Sequence, residues 1–241
     1  MEGTKRICVV SMENHTQMLL YRIAHANHAA YCRNNGYEYF EVSDFSKYPP
    51  KDKAHWYKYD VIYDAMRAVP ADYYLWMDTD AFFTNMGHRL EPFIPDEDAQ
   101  IMMSKDCDGG RAMYDYGYCN GVMLLKGSPL VLKYMEELCS PWVYRLGRAL
   151  KTAGIIRFRD QEMMQLLNQV GEYRDIITEI PPKSFQSFLP SRAHRNNAWT
   201  MGDCILHMPG MKVADKEAML SRMGYDLGTG EVGFLGLDDA R

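Results

Sequence analysis

Two aspartates one residue apart, in Asp78-Thr79-Asp80, close the apolar run Tyr73-Tyr74-Leu75-Trp76-Met77, and a second apolar patch, Ala81-Phe82-Phe83, follows them. An ionised carboxylate is costly away from water unless it is paired, so these acids belong at the end of a buried strand, where a cleft opens. In extended backbone, residues two apart point to one side, and two carboxylates on one side suit a hard divalent cation. A turn that uses both acids as caps accounts for the same residues. Two acids leave a cation site incomplete, and the best third ligand is His207, which ends the apolar run from Cys204 and precedes Pro209-Gly210, at a strand mouth. The other histidines are less well placed: His15 in a loop, His25 and His28 on a helix, His55, His88 and His194 in polar stretches. An imidazole beside carboxylates favours Mn²⁺ over Mg²⁺, because nitrogen suits the later metals.

Other residues have the chemistry to hold a phosphate or a sugar. Lys212 follows His207 by five positions, and Lys58 and Lys105 stand near expected element ends; a cation beside a metal suits a diphosphate, although a solvated lysine is the commoner use. Asn120 offers a donor and an acceptor to hydroxyl groups, and Gly121 would let a ligand approach the backbone; a plain turn before a strand reads equally well. Asp160-Gln161 opens a helix, one as a cap, the other free to reach a ligand. Tyr114, Tyr116 and Tyr118 line an acceptor groove or pack in a loop.

These residues need a scaffold. With 241 residues, 47% of them hydrophobic, the chain suffices for one substantial core. A net charge of −5 gives no basic field for nucleic acid, and an acidic protein that handles a phosphorylated ligand needs a local cation. Six cysteines form no CxxC pair, so neither zinc nor a disulfide framework is indicated and a reducing compartment is expected. No apolar run is long enough to span a bilayer. A strand over residues 7–11, a helix over 17–34 and a strand over 37–42 form a βαβ unit. A helix over 55–68, the aspartate-bearing strand, strands over 100–104 and 120–126 and a helix starting at Pro129 follow. Then come helical segments over 142–151 and 162–168, the latter with Asp160 as N-cap. A short strand over 176–180, another short element over 185–189, a strand over 204–208 and a helix over 216–223 complete the order. The class is α/β: a single domain over residues 1–223 with a mixed, mostly parallel central sheet flanked by helices. The glycine-rich tail, 224–241, reads as loosely packed or as a linker to further protein.

In this order the segments resemble a known family. Tyr74-Leu75-Trp76-Met77-Asp78-Thr79-Asp80-Ala81 is similar to the DxD segment of GT-A (Rossmann-like) glycosyltransferases, and most of all to the galactosyl-, mannosyl- and xylosyltransferases that include fungal galactosyltransferases and plant xyloglucan xylosyltransferases. Asn27-His28-Ala29-Ala30-Tyr31-Cys32 with Gly36-Tyr37, Trp56-Tyr57-Lys58, Asn120-Gly121-Val122-Met123-Leu124-Leu125, Asp160-Gln161 and His207-Met208-Pro209-Gly210-Met211-Lys212 resemble further segments of that family. The resemblance covers about Ile7 to Lys212, most of the chain. It implies transfer of a sugar from a nucleoside diphosphate sugar, a UDP-sugar in the first instance, to a hydroxyl of a glycan or glycoconjugate, with Mn²⁺ (Mg²⁺ as the alternative) and retention of configuration.

Carried over, Asp80 and His207 bind metal, and Asp78 serves metal and ribose. Lys58 and Lys212 face the donor, with Ser11, Thr79 and Gly210 beside it. Asn120, Asp160 and Gln161 face the transferred sugar. Inversion instead would need a base, for which Asp106, Asp108, Asp115 and Asp160 are candidates. Two features depart from the family pattern: Asn120 and Gly121 are adjacent, and the membrane anchor of the Golgi members is missing, which suggests a cytoplasmic, bacterial or viral setting or a trimmed chain. The same acids would serve a metal-dependent phosphohydrolase or nucleotidyltransferase, which leaves the segment from His207 to Lys212 unexplained. An inactive sugar- or nucleotide-binding module is the remaining class.

Overall fold

The computed structural model describes residues 5–12, 18–51, 54–95, 98–104, 118–156, 160–181, 183, 185–190, 197–226 and 228–232. Strand β1 (Ile7–Met12), helix α1 (Met18–Asn35) and strand β2 (Glu38–Val42) open the chain, and β1 and β2 pair in parallel, as the βαβ pattern requires. Helix α2 (Tyr57–Ala68) leads to β3 (Tyr73–Met77), which pairs in parallel with the other side of β1. After β4 (Ala81–Phe83) and β5 (Ile101–Met103), β6 (Val122–Lys126) enters the large sheet antiparallel to both β3 and β5. Helices α3 (Pro129–Cys139), α4 (Pro141–Thr152) and α5 (Asp160–Leu167) precede β7 (Ile177–Glu179). Strands β8 (Ser187–Phe188) and β9 (Ile205–His207) and helix α6 (Val213–Met223) follow.

The six-stranded sheet has the order β2-β1-β3-β6-β5-β7. Three of its five pairings are parallel (β1 with β2, β1 with β3, β5 with β7), so the sheet is mixed and mostly parallel. Every residue of β3 is buried, because the sheet is covered on both faces. Tyr74 and Trp76 enter one core layer with Trp56, Tyr134 and Met163, while Tyr73, Leu75 and Met77 enter the other with Tyr31, Phe83 and Ile205. A second, three-stranded sheet, ordered β4-β9-β8, sits beyond the end of β3. Phe82 and Leu206 from that sheet pack with Leu20 and Ile23 of α1 and Leu220 of α6 in a third cluster.

The far edge of β4 is held by side chains in place of a strand. The Asn27 amide donates to the Phe83 carbonyl (2.9 Å) and accepts from the Phe83 N–H (2.7 Å), and His28 Nε2 donates to the Ala81 carbonyl (2.8 Å). Asn27 also donates to the carbonyl of Gly230 (2.9 Å). In the described part of the tail, residues 224–226 and 228–232, the backbone is packed where a loose segment is expected: Tyr225 bridges Val232, and Gly230, in left-handed backbone, lies so close to α1 that a Cβ would sit 2.2 Å from the Ala26 carbonyl oxygen. Asp160 is likewise not an N-cap but the first residue of α5. Asp106, Asp108, Asp115, Lys105, Tyr114, Tyr116, His15 and His194 lie outside the described residues. Tyr118 packs against the main core.

His28 is completely buried, and burial lowers its pKa from 6.5 to about 4 against the opposing pull of the Ala81 carbonyl. Between those values the unfolded chain takes up a proton that the folded chain refuses. The stability this group confers is therefore complete above pH 6.5 and lost as the pH falls towards 4. Urea unfolding over this window should register a loss of about 3 kcal/mol from this group, and the pH slope should flatten in His28→Gln.

Candidate active site

The large sheet and the small one meet at the end of β3. The chain leaves β3 at Met77 and turns at once, the N–H of Ala81 donating to the carbonyl of Asp78 (3.0 Å). Asp78, Thr79 and Asp80 thus form a turn rather than a continued strand, and it is the turn, not strand alternation, that gathers the two carboxylates. β4 then pairs antiparallel with β9, with Ala81 opposite His207, and the Met208 N–H donates to the Asp80 carbonyl (2.9 Å). This pairing sets His207 Nε2 3.2 Å from Asp80 Oδ1. Asp78, Asp80 and His207 each offer one ligand atom, all within 4.8 Å of one another.

The imidazole is tightly framed. A Cβ on Gly121 would lie 2.1 Å from His207 Cε1, so the glycine expected to admit a ligand in fact admits the His207 ring. The Gly121 carbonyl also accepts from the Asp78 N–H (2.8 Å), tying the start of β6 to the turn. His207 Nε2 is buried and, despite its nearness to Asp80, makes no hydrogen bond of adequate geometry among the described residues. A buried ring nitrogen without a hydrogen bond, facing carboxylate oxygens, is the donor set that a divalent cation of the Mn²⁺ class takes. Lys216 Nζ lies 2.5 Å from Asp80 Oδ2. Burial alone would raise the Asp80 pKa, but His207 and Lys216 hold it well below the usual carboxylate range. Asp78 is shifted the other way: burial and the Asp80 charge raise it, against the pull of Lys58 and His207.

Lys58 departs from its expected place. It is 2% exposed, and its ammonium lies 3.3 Å from Asp78 Oδ1, 3.3 Å from Asp160 Oδ2 and 3.1 Å from the Asn120 carbonyl, above the Trp76 ring. Asn120 Nδ2 donates to Asp160 Oδ2 (2.7 Å) and to the Tyr59 hydroxyl (3.2 Å), and Gln161 Oε1 accepts from the Asn120 N–H (3.4 Å). Asn120, Asp160 and Gln161 therefore join one polar network behind the turn. Trp76 Nε1 donates to the same Asp78 oxygen that Lys58 holds (2.8 Å).

The cleft in front of this network is lined by His55, Trp76, Asp78, Thr79, Asp80 and Lys216 among the described residues. Asp78, Thr79 and Asp80 line it from the turn after β3. Ser11 is buried, donating to the Met77 carbonyl (3.0 Å), so it braces β1 against β3. Lys212 and Gly210 are exposed and line no part of the described cleft; Lys216, one helical turn after Lys212, takes the inward place. Helix spacing alone offered that signal. His55 looked too polar in context, and nothing in the sequence marked Gln186, whose amide contacts His207.

Removing the Lys58 charge strands two acids in this network. Lys58→Met should lower the unfolding free energy by roughly 3 kcal/mol, the cost of breaking a buried ion pair on one side; denaturant titration checks it.

Comparison with known proteins bears on the fold. Residues 5–108 match the model of the galactosyl transferase GMA12/MNN10 family. No curated protein sequence matches the chain. Among solved structures, a glycosyltransferase involved in the glycosylation of the major capsid of PBCV-1 superposes with a TM-score of 0.66 at 14% identity, over 89% of this chain and 98% of that one. An active-site mutant of LgtC aligns at 11% identity with a TM-score of 0.50, over 85% of this chain and 88% of that one. The bifunctional glycosyltransferase WbbM aligns at 11% identity with a TM-score of 0.52; 88% of this chain is matched to 47% of WbbM. The chain has the GT-A glycosyltransferase fold, and the family match is confined to its N-terminal part.

Proposed function

We propose that this chain transfers a sugar from a nucleoside diphosphate sugar to a hydroxyl of a glycan or glycoconjugate, with a divalent cation of the Mn²⁺ class. The observation that carries the reading is the convergence of Asp78, Asp80 and His207 at an open cleft of a GT-A fold. Asp80 and His207, with the second oxygen of Asp78, would hold the cation. When bound, it supplies Lewis acidity to the donor's diphosphate. No helix among the described residues is long and apolar enough to cross a membrane.

The residues divide the remaining work. Lys216 is the buried cation on the cleft wall, and its ammonium donates to the leaving diphosphate, strengthening as negative charge gathers there. Lys212, exposed at the start of α6, adds a peripheral charge. Asp78, with one oxygen fixed by Trp76 and Lys58, is shared between cation and ribose. The network of Lys58, Asn120, Asp160 and Gln161 forms the back wall of the sugar subsite. Burial would raise the pKa of Asp160, but Lys58, His55 and Asn120 hold it below its ordinary value, so it is a weak base at neutral pH. This favours retention, in which the leaving phosphate itself can accept the acceptor's proton.

Differential scanning of the protein with UDP, with and without Mn²⁺, tests the reading, because a ligand that binds only the folded state raises its apparent stability. UDP should raise the melting temperature only when Mn²⁺ is present, and Asp80→Asn should abolish the shift while keeping the wild-type circular dichroism. Lys216→Met should bind Mn²⁺ alone at least as well as the wild type, since a competing cation is gone, yet bind UDP with Mn²⁺ roughly tenfold more weakly. No metal-dependent shift with any nucleoside diphosphate would sink the transferase reading. Release of free phosphate without sugar transfer would point to a phosphohydrolase.

A further inference from the structure

His207 has a second ring nitrogen, and its surroundings decide what the first can do. Nδ1 faces the side-chain carboxamide of Gln186, a fully buried residue just before β8. The amide nitrogen as placed lies 2.6 Å from Nδ1 and 3.3 Å from Cys119 Sγ, and Cys119 Sγ is itself 3.6 Å from Nδ1. In this orientation the amide donates to Nδ1, so a neutral ring must carry its proton on Nε2. Yet Nε2 makes no hydrogen bond of adequate geometry, and Gln186 Oε1 is also buried without one among the described residues. The two ends of a carboxamide have nearly the same shape, and only the hydrogen-bond network tells them apart. Turning the amide by half a revolution puts Oε1 against Nδ1. The oxygen then accepts from Nδ1–H and from the Cys119 thiol, both of which are able to donate. With its proton held on Nδ1, the ring would offer the Nε2 lone pair to a divalent cation bound between it and Asp80, from whose Oδ1 it stands 3.2 Å.

We propose that Gln186 is a positioning residue for the cation site: its carboxamide oxygen holds the proton of His207 on Nδ1 and so presents the Nε2 lone pair to a divalent cation beside Asp78 and Asp80. The inference rests on the cation reading given above. Gln186 lies in β8's lead-in, and β8 pairs with β9, Phe188 opposite His207. The small sheet therefore supplies both the ligand and the group that orients it. A histidine that binds a metal commonly donates its other N–H to an oxygen of this kind, and loss of that partner costs about ten- to a hundredfold in metal affinity.

The test is Mn²⁺ affinity without nucleotide, read from the paramagnetic resonance signal of free Mn²⁺, on the wild type, Gln186→Glu, Gln186→Leu and His207→Ala. Metal-free melting curves show that each variant is folded. A glutamate can only accept from Nδ1–H, so Gln186→Glu should bind Mn²⁺ as tightly as the wild type or more tightly. Gln186→Leu, similar in size but without an acceptor, should bind about tenfold or more weakly. Equal weakening in Gln186→Glu and Gln186→Leu would overturn the proposal, since it would mean that the amide N–H is the required group. Wild-type affinity in Gln186→Leu, with binding lost in His207→Ala, would overturn it while leaving the cation site standing. Failure of the wild type to bind Mn²⁺ would overturn both.

Discussion

The site depends on one antiparallel pairing of three residues. β4 starts directly after Asp80, and β9 ends at His207; their register, Ala81 against His207, decides that a carboxylate and an imidazole meet. A slip by one residue would turn His207 to the opposite face of the small sheet. Much of the surrounding structure guards this register. Asn27 and His28 from α1 occupy the edge of β4 that β9 leaves open. Phe82 and Leu206, opposite one another, are anchored in a shared apolar cluster with α1 and α6. Gly121 clears the volume that the His207 ring fills.

Behind the cleft, charge is arranged in two tiers. The front tier is Asp80 with Lys216 on the cleft wall and the buried His207 beside them. In the rear tier Lys58 is sealed against Asp78, Asp160 and Asn120, where loss of a partner would leave an unpaired charge out of water. Asp78 belongs to both tiers, one oxygen fixed by Trp76 and Lys58. The asymmetry gives two chemically identical side chains different surroundings: Asp80 is paired with Lys216 and His207, and one oxygen of Asp78 is fixed by Trp76 and Lys58.

The parts legible in the sequence are those with strong local patterning. The run from Tyr73 to Met77 announces a strand buried on both faces, and the acids after it announce its end. His207 is marked by an apolar run before it and Pro209-Gly210 after it. Other properties depend on neighbours that sequence order does not reveal. Lys58 reads as a cation near an element end, and only the packing of α2 against β1 and β3 turns it inward. Lys212 and Lys216 differ by one helical turn, and the phase of α6 chooses between them. Asp78 and Asp80 come together through a turn, although extended alternation would predict the same proximity, so a correct outcome rested on the wrong backbone. Gln186 has no periodic or motif signal, because its contact with His207 is made across strand partners.

Chain order has a consequence for how the protein is made. All six strands of the large sheet, the aspartate turn and the Lys58 network precede β8 and β9 in the chain. Local and early contacts form with little loss of loop entropy, whereas β4 must wait for a partner from the far end of the chain. During synthesis the scaffold can be in place while the carboxylates still lack their imidazole, and β4 has only the side chains of α1 beside it. The last short strand to arrive therefore both completes the small sheet and makes the cleft fit for chemistry, so that a nascent chain is close to its final shape well before it has a finished site.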